Sequence, residues 1–316
     1  MVGEKLENAV GEAHTGMVAP VSGVRRRSSG YPGQVTGEVR VGTSGWVYPT
    51  WRGAFYPEGL VQRRELEHIS GLLTSVELNG SFYSLQRPSS YQAWARQTPE
   101  DFLFAVKGGR FITHLKQLRD VEIPLANFFA SGVLALGPKL GPVLWQLPPT
   151  TAYDPARLTT FFDLLPRTTT AAAELAERHD DRLAEDRAWT TTDADRPLRH
   201  ALEVRHPTFL VPEFHDLLRA HGIALVVSHS AGRFPYLEDV TADFAYVRLH
   251  GNQSLYVGSY TDEELDEWSA KIRTWATDHD VYVYFDNDTD AAAPHDALRL
   301  AEHLALPKPA TAHTIR

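Results

Sequence analysis

The sequence predicts an α/β protein with a single domain, a (β/α)8 barrel of the TIM type. Three observations carry that expectation: eight short β-rich apolar runs, helical patterns between most of them, and a length of 316 residues. Strands that alternate with helices pair in parallel through right-handed crossovers. Eight such repeats close into a barrel, and barrels of about 250 residues routinely form one domain. The alternative is an open doubly wound sheet, but the Gly-rich turn that such a sheet usually carries after its first strand is missing.

The strand runs are VRVGTSGW (39–46), SVELNGSFY (75–83), FLFAVKG (102–108), GPVLWQLP (141–148), HALEVRH (200–206), IALVVSHS (223–230), FAYVRLHG (244–251) and VYVYFDND (281–288). Helical patterns appear as RRELEHISGLLT, SYQAWARQ, PEFHDLLRAHG, DEELDEWSAKIRTWATDH and HDALRLAEHL. The connection from Gly80 to Phe102 is short and that between the sixth and seventh runs is mostly loop, so irregular helices are expected there. Residues 1–37 lack apolar periodicity and read as a flexible leader, and 307–316 as a loose tail around the barrel of 38–306. Residues 167–199 form a polar insertion, expected as a helix through AAAELAERHDDRLAE followed by a surface loop. It is too short and polar for a core of its own.

Composition narrows the function. Seven Trp, 12 Tyr and 14 Phe supply a large core, and the absence of cysteine excludes disulfides, thiolate metal sites and Cys nucleophiles. A net charge of -9 favours a small-molecule substrate over nucleic acid or an anionic membrane. No apolar run approaches the roughly 18 residues of a membrane span. The chain reads as soluble and cytoplasmic, and its composition leaves the oligomeric state open.

In a barrel the C-terminal strand ends face the pocket, and here they are dense in polar groups. They supply Ser44, Trp46 and Tyr48 from the first strand, then Glu77, Asn79 and Tyr83, Lys107, Gln146, Glu203 and Arg205, Arg248 and His250, and Asp286 and Asn287. Alternation puts Glu77 with Asn79, Glu203 with Arg205, and Arg248 with His250 on one face of each strand. Glu77, Lys107, Glu203, Arg248 and His250 are therefore expected to converge. Two readings fit these groups. Glu203 with Arg205 or Arg248, and Lys107 with Glu77, form structural ion pairs, or they carry chemistry. On the second reading Glu77, Lys107, Glu203 and His250 are catalytic, Lys107 with a lowered pKa. At Glu203 burial pushes the pKa up and a neighbouring arginine pushes it down. The rings at Trp46, Tyr48, Trp51, Phe55 and Tyr56 cap the barrel mouth or stack a substrate. Glu77, Glu203, His250 and Asp286 keep a divalent metal open as cofactor, with no flavin or dinucleotide motif present.

Eight segments, in order, carry a resemblance: VGTSGWVYPTWRGAFYP, VELNGSFYSLQRPSSYQAW, FLFAVKGGRFITH, GPVLWQLPP, HALEVRHPTF, YVRLHG, YVGSY and VYVYFDND. They resemble the YecE-like family, domain of unknown function 72. The resemblance implies a TIM-type barrel related to sugar isomerases and apurinic endonucleases, with no assigned activity. It marks Ser44, Trp46, Tyr48, Glu77, Asn79, Tyr83, Lys107, Gln146, Glu203, Arg205, Arg248, His250, Gly251, Tyr256, Tyr260 and Asn287 as the family's recurrent positions. After the last strand this chain has DTDAAAPHDAL where the family usually has a Gly-aromatic-Ala stretch.

The leading expectation is an enzyme, a hydrolase or isomerase, acting on a carbohydrate-like or phosphorylated small molecule by carboxylate acid/base chemistry. Ser44, Trp46, Tyr48, Asn79, Tyr83, Gln146, Arg205, Arg248, Tyr256, Tyr260 and Asn287 would bind the substrate. One alternative is a nucleic-acid-processing or nucleic-acid-binding protein with an endonuclease-like metal site and Trp46 and Trp51 stacked on a base. Another is a non-catalytic ligand-binding module, favoured if every strand-end charge is paired and no cavity is left.

Overall fold

A computed structural model describes residues 37–309. Eight parallel strands close into a barrel in sequence order: β1 (Val39–Ser44), β2 (Ser75–Leu78), β3 (Leu103–Lys107), β4 (Leu140–Gln146), β5 (His200–Glu203), β6 (Ala224–His229), β7 (Phe244–Leu249) and β8 (Asp280–Phe285). The α-helices are α1 (Glu65–Ser70), α2 (Gly80–Tyr83), α3 (Pro88–Gln97), α4 (Glu122–Ala130), α5 (Pro155–Leu164), α6 (Thr169–Ala176), α7 (Pro212–Ala220), α8 (Asp262–Trp275) and α9 (Ala292–His303). The fold class predicted from the sequence is the one observed, and the loop between β6 and β7 carries no helix. The expected leader and tail lie outside the described residues, except for Gly37 and residues 307–309. Among the described residues no helix is long and apolar enough to cross a membrane.

Alternation divides each strand between two apolar layers. Val76 and Leu78, Val143 and Trp145, Val247 and Leu249, and Val283 and Phe285 join the outer core against the helices. Ala105, Leu144, Ala201, Val226, Tyr246 and Tyr284 fill the barrel interior. Two residues further along the same strands stand Lys107, Gln146, Glu203, Ser228, Arg248 and Asp286, all buried. The interior is thus packed below and polar at the strand C-termini.

The wall closes tightly where Gly42 of β1 faces Ser75 of β2. A Cβ at Gly42 would stand 2.0 Å from the Ser75 carbonyl oxygen. Gly42→Ala is expected to lower stability by about 1–3 kcal/mol, because backbone has to move. Urea unfolding reads this as a lower midpoint with unchanged slope, and a wild-type midpoint would show that the strands part freely.

Three local differences from the expectation have physical causes. The second predicted strand, extended through Tyr83, stops at Leu78. Ser81 Oγ donates to the Lys107 carbonyl at 2.6 Å and draws Gly80–Tyr83 into α2, leaving Tyr83 exposed on the rim. The insertion helix ends at Ala176 because Asp180 is captured by Asn127 of α4, with Nδ2 to Oδ1 at 2.8 Å and the Asp180 N–H to Oδ1 of Asn127 at 3.0 Å. Finally, α4 lies over EIPLANFFA, a segment apolar on nearly every face because α6 packs across it.

Candidate active site

Arg248 is the centre of the barrel mouth, and its side chain is completely buried. Its Nε and Nη2 donate to both oxygens of Glu77 at 3.0 and 2.8 Å. Nη2 also reaches Ser44 Oγ at 2.8 Å and Asp286 Oδ2 at 2.9 Å, and Nη1 reaches Glu203 Oε2 at 2.7 Å. Around this core, Ser44 Oγ and Tyr246 Oη donate to Glu77 at 2.6 and 2.7 Å. Arg205 Nε donates to Glu203 Oε1 at 2.8 Å, and Asn79 Nδ2 to Ser44 Oγ at 2.8 Å. His250 closes the ring, its Nδ1 2.8 Å from Asp286 and its Nε2 3.6 Å from Glu203. Gln146 Oε1 sits 3.5 Å from Arg248 Nη1.

Electrostatics follow from this packing. Burial alone would push the Glu203 carboxyl up, but Arg205 and Arg248 hold it well below the usual range. Asp286 is likewise held low against burial by Arg248 and His250. Arg248 stays charged despite burial because Glu77, Asp286 and Glu203 surround it. Glu77, Glu203 and Asp286, which the sequence offers to a divalent cation, direct their oxygens at this guanidinium. Among the described residues no group of three or more His, Asp or Glu is arranged to hold a metal ion.

Above the cluster opens a cavity of about 520 Å³, walled by Trp46, Tyr48, Tyr83, Trp94 and Tyr256, with Asn79, Gln86, Lys107, Asp286 and Asp288 among its polar groups. Trp46 and Trp94 meet edge to face at 5.6 Å. Tyr256 is held at φ 69°, a left-handed conformation uncommon outside glycine. Such strain is characteristic of functional loops. Lys107 ends β3 where Gly108 lies so close to Trp145 that a Cβ would stand 2.3 Å from its ring. The Lys107 ammonium has no hydrogen bond or ion pair among the described residues; it faces the Phe82 ring at 4.5 Å. Burial, reinforced by the Arg248 charge, lowers its pKa to about 8. Asp288 is its counterpart. Burial and then the neighbouring Asp286 charge push its carboxyl up to about 8, and its Oδ1 has no hydrogen-bond partner.

Most positions named from the sequence meet here, at two levels. Ser44, Glu77, Gln146, Glu203, Arg205, Arg248 and His250 form the network beneath the cavity, whereas Trp46, Tyr48, Asn79, Tyr83, Lys107 and Tyr256 line it. Tyr260 and Asn287 stand elsewhere. Tyr260 Oη bonds His229 at 2.7 Å and the Gly251 N–H at 3.2 Å. Asn287 Nδ2 donates to the Gly258 carbonyl and Asp296, both at 2.8 Å. Both residues brace the loop after β7. Trp51 and Tyr56 are buried in the outer core, whereas Trp46 and Tyr48 line the cavity. His114, on the segment that follows β3, packs on Phe82 at 5.1 Å. Its pKa falls to about 4 through burial and the charges of Lys107, Arg205 and Arg110. Sequence reading missed Asp288 and Trp94. The signal for Asp288 was present, since it lies two residues beyond Asp286 in VYVYFDND.

Comparison with known proteins adds the family. The chain is 23% identical over 299 residues to the UPF0759 protein YunF of Bacillus subtilis, covering 84% of this chain and 94% of that one. It is 24% identical over 272 residues to the UPF0759 protein YecE of Escherichia coli K12, covering 84% and 92%. A crystal structure of a DUF72 family protein from Thermotoga maritima superposes with a TM-score of 0.64 at 27% identity, covering 85% of this chain and 99% of that one. The family model described as protein of unknown function DUF72 matches residues 40–315, and this barrel, with its buried arginine cluster and open cavity, belongs to that family.

Proposed function

We propose that this chain is an enzyme that moves protons on a small carbohydrate-like or phosphorylated molecule held in the cavity. Lys107 and Asp288 are its titrating pair, and the Arg248 cluster is its fixed floor. The observation that carries the reading is Lys107, a buried amine that faces the cavity without a counter-ion. A binding module would be favoured by complete pairing of the strand-end charges; Lys107 is left out of that pairing. Two groups pushed from opposite sides toward neutrality suit an acid and a base working near pH 7. Glu77 and Glu203, expected from the sequence to do this work, instead hold Arg248 in place. The aromatic walls match the stacking faces of a sugar or a planar substrate, and the size suits a small molecule.

The test is an exchange and turnover screen. Aldoses, ketoses and their phosphates are incubated with the protein in D2O and followed by proton NMR, for loss of C–H signals or release of product. Turnover of at least one compound is expected. Asp288→Asn should slow it by roughly 10²–10⁴-fold, with the melting temperature nearly unchanged. An Asp288→Asn protein that works at the wild-type rate would remove this reading of the pair.

A further inference from the structure

We propose that the cavity takes a carbonyl compound and that Lys107 bonds to it covalently as an imine. The inference rests on the reading of the cavity as the active site and names its substrate class and its nucleophile.

Two other lysines among the described residues are held by partners. Of 31 basic residues only six are lysines. Lys139, the other buried lysine among the described residues, donates to the Ala95 and Thr98 carbonyls at 2.6 and 2.7 Å and to Thr98 Oγ1 at 3.1 Å. Lys271 is paired with Glu238 and Tyr236. Lys107 is equally buried but has none of these partners, and its amine opens into the cavity. An arginine or a paired lysine would serve as a fixed anchor for an anion. An unpaired lysine beside another cation is instead the arrangement that brings the neutral, nucleophilic form of an amine within reach of ordinary pH. The ionisable groups that act on it most strongly are Arg248 from β7, Glu77 from β2, Asp286 just after β8 and Glu203 from β5, and it acts in turn on His114. The three carboxylates all bond the Arg248 guanidinium.

The reaction balances with groups on the cavity wall. The Nζ lone pair attacks the carbonyl carbon, a C–N bond forms and the C=O π bond opens. The oxygen takes a proton from the Asp288 carboxyl, and the resulting carboxylate recovers one from nitrogen. A second proton from nitrogen reaches the oxygen by the same relay, and the oxygen leaves as water. Amine and carbonyl become imine and water, with no oxidant or reductant. Protonated, the imine lies over the Phe82 ring, whose face stabilises a cation.

The experiment is reductive trapping on the full chain. Glycolaldehyde and dihydroxyacetone are each added with sodium cyanoborohydride, and adducts are located by peptide mass mapping. Lys107 is expected to be modified at least tenfold faster than Lys116 and Lys271, with a half-maximal rate near pH 8. Lys107→Arg keeps the charge and should lose the adduct, and Asp288→Asn should slow its formation. Labelling of Lys107 no faster than Lys116 and Lys271 by either probe overturns the inference. If D2O exchange then persists in the wild type and is lost in Lys107→Met, Lys107 is a base and the proposed function stands alone. If exchange is absent as well, the reading of the cavity falls with it.

Discussion

Arg248→Met is expected to destabilise the protein by at least about 3–5 kcal/mol at neutral pH, the usual cost of removing one partner from a buried ion pair. Methionine fills much of the volume but leaves Glu77, Glu203 and Asp286 facing one another without their guanidinium. The sign of the pH dependence follows from linkage. In the wild type Glu203 and Asp286 are held below their unfolded pKa values. They contribute stability above about pH 4 that disappears as the pH falls through their folded values. Without Arg248 the crowded carboxylates are pushed above the unfolded value, so ionising them weakens the fold as the pH rises. The gap between wild type and variant should therefore be widest near pH 7 and shrink toward pH 4. Urea unfolding at several pH values measures it. A gap under about 1 kcal/mol that ignores pH would show that the cluster is not held by charge.

Lys107→Met should act in the opposite direction on stability and abolish turnover. An amine lowered from 10.5 to about 8 is costly to the folded state while it is protonated. At neutral pH that cost is about 3 kcal/mol, at 1.36 kcal/mol per pKa unit. The folded state binds fewer protons than the unfolded chain between about pH 8 and 10.5, so wild-type stability rises with pH across that window. Methionine removes the buried charge and keeps the length of the side chain. The variant should be more stable than wild type below pH 8, by up to about 3 kcal/mol, and the two should converge above pH 10. Greater stability with lost activity is the mark of a residue kept for function. A variant that is less stable at pH 7 would mean that Lys107 supports the fold.

Much of this barrel was legible because strand alternation is a strong local signal. VELN, LEVRH and YVRLH place Glu77, Glu203 and Arg248 on the inner face from spacing alone, and the structure joins all three. Helices α4 and α5 were harder to read. The first is covered by α6 and so lacks a polar face; the second is announced by the Asp154 cap and Pro155 rather than by periodicity. The direction of the Glu203 shift could not be read from neighbours in sequence, because Arg248 comes from another strand. Separation of the polar groups into a paired floor and an open wall was also invisible in the sequence. It depends on how far each side chain reaches across the barrel, which is why Lys107 and Glu77 looked like partners although Glu77 belongs to Arg248. Asp288 and Trp94 enter the site through the loop after β8 and through α3, beyond the strand ends that alternation describes.

The proposed chemistry depends most on the protonation state of one amine. Protein labelled with ¹³C at the lysine ε-carbon gives one signal for each of six lysines, and Lys107→Met identifies the one that matters. This signal is expected to titrate with a midpoint near 8 while exposed lysines titrate near the usual value of about 10.4. A Lys107 signal that titrates with the others, at 10 or above, would contradict it.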